Sequence, residues 1–243
     1  MPTRIVCVGD SNTRGQLAAS YVQILAERLS CHDIAVTAAG VNGDCSHNLL
    51  QRLDPIIARR PDAVIVLIGT NDAWGTLSDA NSRNIVKRKK LPAPPTLGLY
   101  RENLAAIVAR LREETDAQFA LVSLPVLGQD LDSPAARTSK KFSRVVKTTA
   151  AEQGLAYLPL HERQCEYLLS NGAEALPFPD GMGERYTSVL QHFLLRHSYD
   201  AIARRRRLAL TADFVHQNSR GATLIADLIE GFVRTTTPIR ADA

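Results

Sequence analysis

Four short polar segments hold residue types that can transfer an acyl group. They are Gly9-Asp10-Ser11-Asn12-Thr13, Gly40-Val41-Asn42-Gly43-Asp44, Gly69-Thr70-Asn71-Asp72 and Asp213-Phe214-Val215-His216. A serine hydroxyl is a weak nucleophile until a base takes its proton. Ser11 is the candidate nucleophile and His216 the candidate base. Asp213 stands three residues before His216. On a turn, that spacing lets its carboxylate hold the imidazole and fix the useful tautomer.

Each residue alone has a plainer account. Ser11 could cap a helix, since serine is favoured there. Gly43 could be a turn glycine, Asn71 a loop-capping amide, Asp72 a structural carboxylate, and Asp213 with His216 a surface pair. Their order along the chain favours the joint reading. His161 follows the last expected strand and is the rival base, while His32, His47, His192 and His197 read as surface or helix residues. Cys45 reads as a small packed thiol. Trp74 reads equally as a pocket wall or as packing. Arg204 to Arg207 could form a phosphate or nucleic-acid patch. The preferred reading is a solvated helix end whose cations complement the helix dipole.

The surrounding sequence supplies elements to position these residues. Apolar runs at Ile5–Val8, Ile34–Ala38, Ala63–Ile68, Phe119–Leu124 and Leu155–Leu158 predict five strands. The run AVIVLI at 63–68 is continuously aliphatic, as in a parallel strand covered on both faces. Tyr100, Leu104, Ile107, Val108 and Leu111 recur at helical spacing. Residues 136–153 predict a helix stopped by Gly154. Asp54-Pro55 reads as a cap followed by a first helical residue. Leu224, Ile225, Leu228, Ile229 and Phe232 mark a final helix that Asn218 or Ser219 could cap. Strand and helix alternation predicts a parallel sheet with helices on both faces. Ligands then bind beyond the carboxyl ends of the strands.

Two segments fall outside the alternation. Residues 75–97 carry the basic run Lys87 to Lys90 and three prolines, and read as an exposed loop. Residues 165–209 read as an insertion. It contains the turn cluster Pro177-Phe178-Pro179-Asp180-Gly181 and an amphipathic helix with Tyr186, Val189, Leu190, Phe193 and Leu194.

Composition narrows the class. The chain has 243 residues, 45% of them hydrophobic and 22% charged, which excludes global disorder. One domain over 1–243 is the expectation. A net charge of +4 does not by itself imply nucleic acid. No apolar run is long enough to span a membrane. The N-terminus enters a strand without a leader-like stretch, so a cytoplasmic location is expected. The four cysteines show no metal-ligand or disulfide spacing.

Taken together, GDSNT after an N-terminal strand, AVIVLIGTND, VSLPVLGQDL and the terminal Asp213-x-x-His216 resemble the SGNH hydrolase family, the GDSL esterases and lipases. The resemblance runs from Met1 to about Phe232. It implies a three-layer α/β/α, flavodoxin-like fold, with a five-stranded parallel sheet and a helical insertion before the C-terminal helix. It assigns Ser11, Asp213 and His216 to catalysis. It assigns the Ser11 and Gly43 N–H groups and the Asn71 amide to an oxyanion hole; Asp10, Trp74 and Phe178 are the candidate substrate contacts. It implies an acyl-enzyme on Ser11 and hydrolysis of small to medium acyl esters, with no metal or organic cofactor. An acyltransferase and a silent binding module are the alternatives. The expected partner is a small-molecule ester, without nucleic acid or stable membrane insertion, and a homo-oligomer is left open.

Overall fold

The computed structural model describes residues 2–179 and 181–236. Asp180, in the expected turn cluster, lies outside the described residues. Five strands form one parallel sheet: β1 (Thr3–Gly9), β2 (Ile34–Gly40), β3 (Ala63–Leu67), β4 (Gln118–Val122) and β5 (Ala156–Leu158). Their order is β2-β1-β3-β4-β5. β1 registers Val8 against Ala39 and against Val66. All five strands lie within two residues of the expected bounds.

Side chains alternate between the faces of a strand, and here the alternation separates two cores. Val6, Val8, Val64, Val66 and Leu121 face one layer. There they meet Leu104, Ile107 and Leu111 of the helix Leu97–Glu114, with Phe142 and Val146 of the helix Pro134–Glu152. Ile5, Cys7, Ile65, Leu67 and Val122 face the other. They pack on Tyr21 and Leu25 of Tyr21–Arg28 and on Ile225 and Ile229 of Ser219–Thr236. Fully burying each such aliphatic side chain stabilises the fold by about 1.5–3 kcal/mol. The result is the expected three-layer α/β/α architecture.

Local signals set the ends of these helices. Ser133 accepts from the Ala136 N–H, and Pro134 opens its helix. Gly154, at φ 61°, closes that helix. Asn218 accepts from the Gly221 N–H at 3.0 Å and so caps the last helix. Asp54 departs slightly from expectation, since it is the first helical residue rather than the cap.

Three larger departures have physical causes. Residues 75–97 are not a loop throughout, because Asp79–Lys89 is a helix. Ser78 caps it, accepting from the Asn81 N–H at 3.2 Å, and Ile85 anchors it in a cluster with Cys45, Trp74 and Leu91. The charged residues around Ile85 hide that anchor in the sequence. The arginine run is not simply a solvated helix end either. Arg206 turns inward and binds the Ala212 carbonyl at 2.9 Å and the Ser188 hydroxyl at 2.5 Å. Finally, the helix Gly183–Phe193 packs through its polar side. Arg185 and Ser188 are buried, while Tyr186, Leu190, Phe193 and Leu194 stay exposed.

Candidate active site

The chain leaves β1, turns outward to β2 and returns to β3, so the strand order reverses between β1 and β3. Open parallel sheets form their ligand crevice at such a reversal. Ser11 follows β1 and Asn71 follows β3, and both stand at this crevice.

Sequence dictates the placement of Ser11 closely. A Cβ on Gly9 would fall 2.2 Å from the Leu67 carbonyl oxygen, so only glycine lets β1 pass β3 there. Asp10 then accepts the Asn12 N–H at 3.0 Å and caps the short helix Ser11–Arg14. The hydroxyl of Ser11 lies 2.9 Å from His216 Nε2. His216 Nδ1 lies 2.7 Å from Asp213 Oδ2. A tight turn carries both partners. The Ala212 N–H donates to the His216 carbonyl at 2.8 Å, and Phe214 takes φ 69°. The Gln217 N–H donates to Asn12 Oδ1 at 3.1 Å and ties this turn to the serine helix.

The loop after β2 brings the third component. Gly43 takes φ 76°, a left-handed conformation that glycine adopts without cost. Its neighbour Asp44 is buried between Arg52 Nε at 2.7 Å and Lys89 Nζ at 2.6 Å. Arg52 also reaches the Ala39 and Gly9 carbonyls, each at 2.9 Å, and so bolts the loop to the strand ends. Asn71 Nδ2 donates to the Asp44 carbonyl at 3.1 Å and to Asp10 Oδ2 at 3.3 Å. Among the described residues, the Ser11 and Gly43 N–H groups have no protein acceptor. Ser11, Gly43 and Asn71 line one and the same cavity.

A cavity of about 290 Å³ opens in front of this array. Ser11, Asn42, Gly43, Asn71 and His216 form its floor. Leu17, Met182, Tyr186, Val189, Arg88, Lys89 and Arg185 form its walls. Asp10, Trp74 and Phe178, expected at the substrate, do not line it. Asp10 lies behind Asn71 as a hydrogen-bond partner. Trp74 is buried in the cluster with Ile85, because the Arg185 guanidinium covers its ring at 4.4 Å. Phe178 packs edge-on against Phe214, with ring centroids 6.2 Å apart. The rival base His161 is absent from the lining; its main-chain N–H donates to the Ser123 hydroxyl at 2.9 Å. Asp72 accepts both the N–H and the hydroxyl of Ser46 and holds the start of the short helix Ser46–Leu50.

Charges in and behind the site are perturbed in different directions. Burial works to raise the Asp213 pKa, but the His216 imidazole and its hydrogen bonds hold it below the usual carboxylate value. Burial pushes Asp10 and Asp72 each up to about 6, against the hydrogen bonds they accept. Burial also pushes the Cys45 thiol well up, which leaves it unreactive. Sequence reasoning did not single out Arg88, Lys89, Arg185, Arg52 or Asp44. The basic run at 87–90 was the one visible signal, since it supplies two of the wall cations.

Such an array suits attack by a hydroxyl on a carbonyl carbon. Comparison with known proteins bears on the same chemistry. The model of the GDSL-like lipase/acylhydrolase family matches residues 7–224. No curated protein matches the chain. Among solved structures, the acetylxylan esterase Axe2 from Geobacillus stearothermophilus is similar at 19% identity and TM-score 0.67, covering 99% of this chain and 95% of that one. The acetyl xylan esterase AlAXEase is similar at 17% identity and TM-score 0.70, covering 95% and 99%. A lipase/acylhydrolase from Enterococcus faecalis is similar at 20% identity and TM-score 0.66 over 100% of both chains. At these identities the structures share the fold, whereas the family match spans most of the sequence. The chain belongs to the GDSL-like lipase/acylhydrolase family and is an SGNH-type carboxylester hydrolase.

Proposed function

We propose that the protein hydrolyses carboxylic esters of small to medium acyl groups through an acyl-enzyme on Ser11. The observation that carries this reading is the continuous relay from Ser11 Oγ to His216 Nε2 at 2.9 Å and from His216 Nδ1 to Asp213 Oδ2 at 2.7 Å. Ser11 Oγ attacks the acyl carbon as its proton passes to Nε2. Charge builds on the former carbonyl oxygen, facing the Ser11 and Gly43 N–H groups and Asn71 Nδ2. The entering oxygen takes over the longer of the two Asn71 bonds, the one to Asp10. The tetrahedral species collapses, and His216 gives its proton to the leaving alcohol. Water then repeats the sequence at the acyl carbon, releasing the acid and restoring Ser11.

Cavity volume supports the limit on substrate size, since ligand pockets span roughly 300–1,000 Å³ and this one lies at the lower end. Residues 165–209 act as the cap. Met182, Arg185, Tyr186 and Val189 all come from this segment and wall the cavity. A cytoplasmic location belongs to the same reading and is supported by four free cysteines. No helix among the described residues is long and apolar enough to cross a membrane.

A serine-directed fluorophosphonate, followed by mapping of the labelled peptide, tests the nucleophile. A panel of p-nitrophenyl esters of graded chain length tests acyl size in the same preparation. The label is expected on Ser11, with turnover falling as the acyl chain lengthens. A label on another serine, or none, overturns the reading.

A further inference from the structure

The cavity in front of Ser11 carries a charge that ester hydrolysis does not require. Its lining holds three cations, Arg88, Lys89 and Arg185, and no carboxylate among the described residues. Lys89 is already committed to Asp44 at 2.6 Å. Arg88 and Arg185 make no ion pair among the described residues.

Arg185 is the unusual one. It is only 6% exposed. Its guanidinium lies over the Trp74 ring at 4.4 Å, and Nη1 meets the Met182 sulfur, a weak acceptor, at 3.3 Å. Its Nη2 is buried with no acceptor, and so is the indole Nε1 of Trp74 beneath it. Burying a charged donor without a partner is costly, so such groups are ordinarily paired. The tryptophan face offsets only part of that cost. Burial pushes the guanidinium pKa down to about 10, so it stays cationic at neutral pH. Asp213, whose charge acts on it, is bound to His216. Arg88 stands close by the reacting centre, for its Nη2 lies 3.2 Å from where a Cβ on Gly43 would be.

We propose that this cavity takes esters bearing an oxyanion group, a carboxylate or a phosphate, which Arg185 and Arg88 hold while the ester carbonyl faces Ser11. This inference rests on the Ser11 reading above and names the substrate class for that site. Guanidinium forks match the paired oxygens of both groups, and the Trp74 ring, 4.4 Å from the guanidinium carbon, holds the Arg185 fork in place. The anion gives the Arg185 guanidinium the acceptor that the protein does not supply.

The test uses the full chain and matched ester pairs. Monoethyl glutarate against ethyl valerate places the anion on the acyl side. 2-Acetoxyethyl phosphate against butyl acetate places it on the alcohol side. In at least one pair the anionic member is expected to have a kcat/KM on the order of 10- to 100-fold higher. Arg185→Met is expected to bring that ratio to near one, chiefly through KM, and Arg88→Met to reduce it less. Glutarate titrated calorimetrically into Ser11→Ala is expected to bind, and valeramide is not. The calorimetry decides the anion site even if Arg185→Met fails to fold or no ester is turned over. Equal or lower kcat/KM for both anionic esters, with no heat from glutarate, overturns the inference. Should Ser11 be labelled and neutral esters cleaved in that case, the esterase reading stands alone. Glutarate binding without a label at Ser11 leaves the anion site standing and removes the nucleophile.

Discussion

Asp213 grips His216 at two points. One carboxylate oxygen lies 2.7 Å from Nδ1 of the ring, and the other accepts the main-chain N–H of the same residue at 2.8 Å. A single side chain thus fixes both the turn and the ring, leaving Nε2 free to face Ser11. The pair keeps the carboxylate ionised despite its burial. Asp213→Asn is expected to lower kcat for p-nitrophenyl acetate by about 10²–10⁴ with a small change in KM, since an amide cannot stabilise the imidazolium. Ser11→Ala and His216→Ala are expected to remove at least as much. Near-native circular dichroism alongside full activity in Ser11→Ala would reject the assignment.

Gly43 gives a second prediction. At φ 76° an L side chain costs roughly 1–2 kcal/mol. A Cβ there would also press on the Arg88 guanidinium at 3.2 Å. Gly43→Ala is therefore expected to turn the donor N–H away from the developing oxyanion. Losing one such donor costs about 10²–10³ in turnover. Steady-state kinetics should show the loss in kcat, and denaturant unfolding should show a stability loss near the strain cost. An unchanged kcat would mean that this N–H is not a donor in the reaction.

Much of this arrangement was legible in the residues themselves. The uninterrupted Ala63–Ile68 run marked a strand covered on both faces, and the first three polar motifs each followed a strand. That order placed Ser11 and Asn71 at one sheet edge before any coordinates. The cavity walls were harder to read. Arg185 lies on the same helix as an obvious apolar stripe, and periodicity favours burying the stripe. The structure buries the polar side instead, because Arg206 binds it. Four consecutive arginines give no sign of which one turns inward. Ile85 likewise anchors its helix with only Val86 beside it among polar and charged residues, so no apolar period announced Asp79–Lys89.

Buried Asp72 predicts a pH dependence of stability. Burial lifts its carboxyl to about 6, against about 3.9 in an unfolded chain. Between these values the folded state binds the extra proton. The contribution of Asp72 to stability is therefore fully present below pH ~4 and is lost as pH rises through about 6. Asp72→Asn removes this titration while retaining an acceptor for the Ser46 N–H. Compared by urea unfolding at pH 4.5 and 7.5, the difference between variant and parent should move in the variant's favour by on the order of 2 kcal/mol. A pH-independent difference would mean that Asp72 titrates alike in both states.

Arg206 links the cavity wall to the turn that carries Asp213 and His216. Nη1 donates to the Ala212 carbonyl, one residue before Asp213, and to Ser188 on the wall helix. Nη2 donates to Thr187 and pairs with Glu184 at 3.1 Å. Its removal leaves buried acceptors unmatched, at about 1–3 kcal/mol. The helix it holds carries Arg185, Tyr186 and Val189, so Arg206→Met should loosen the wall before it disturbs Ser11. The expected result is a lower melting temperature and a KM that rises several-fold, with fluorophosphonate labelling of Ser11 largely retained. Arg204 is exposed and its side chain makes no hydrogen bond or ion pair among the described residues, so Arg204→Met serves as the control and should change stability by less than about 0.5 kcal/mol. Equal effects from the two substitutions would mean that the arginine run acts through bulk charge, and the clamp would be rejected.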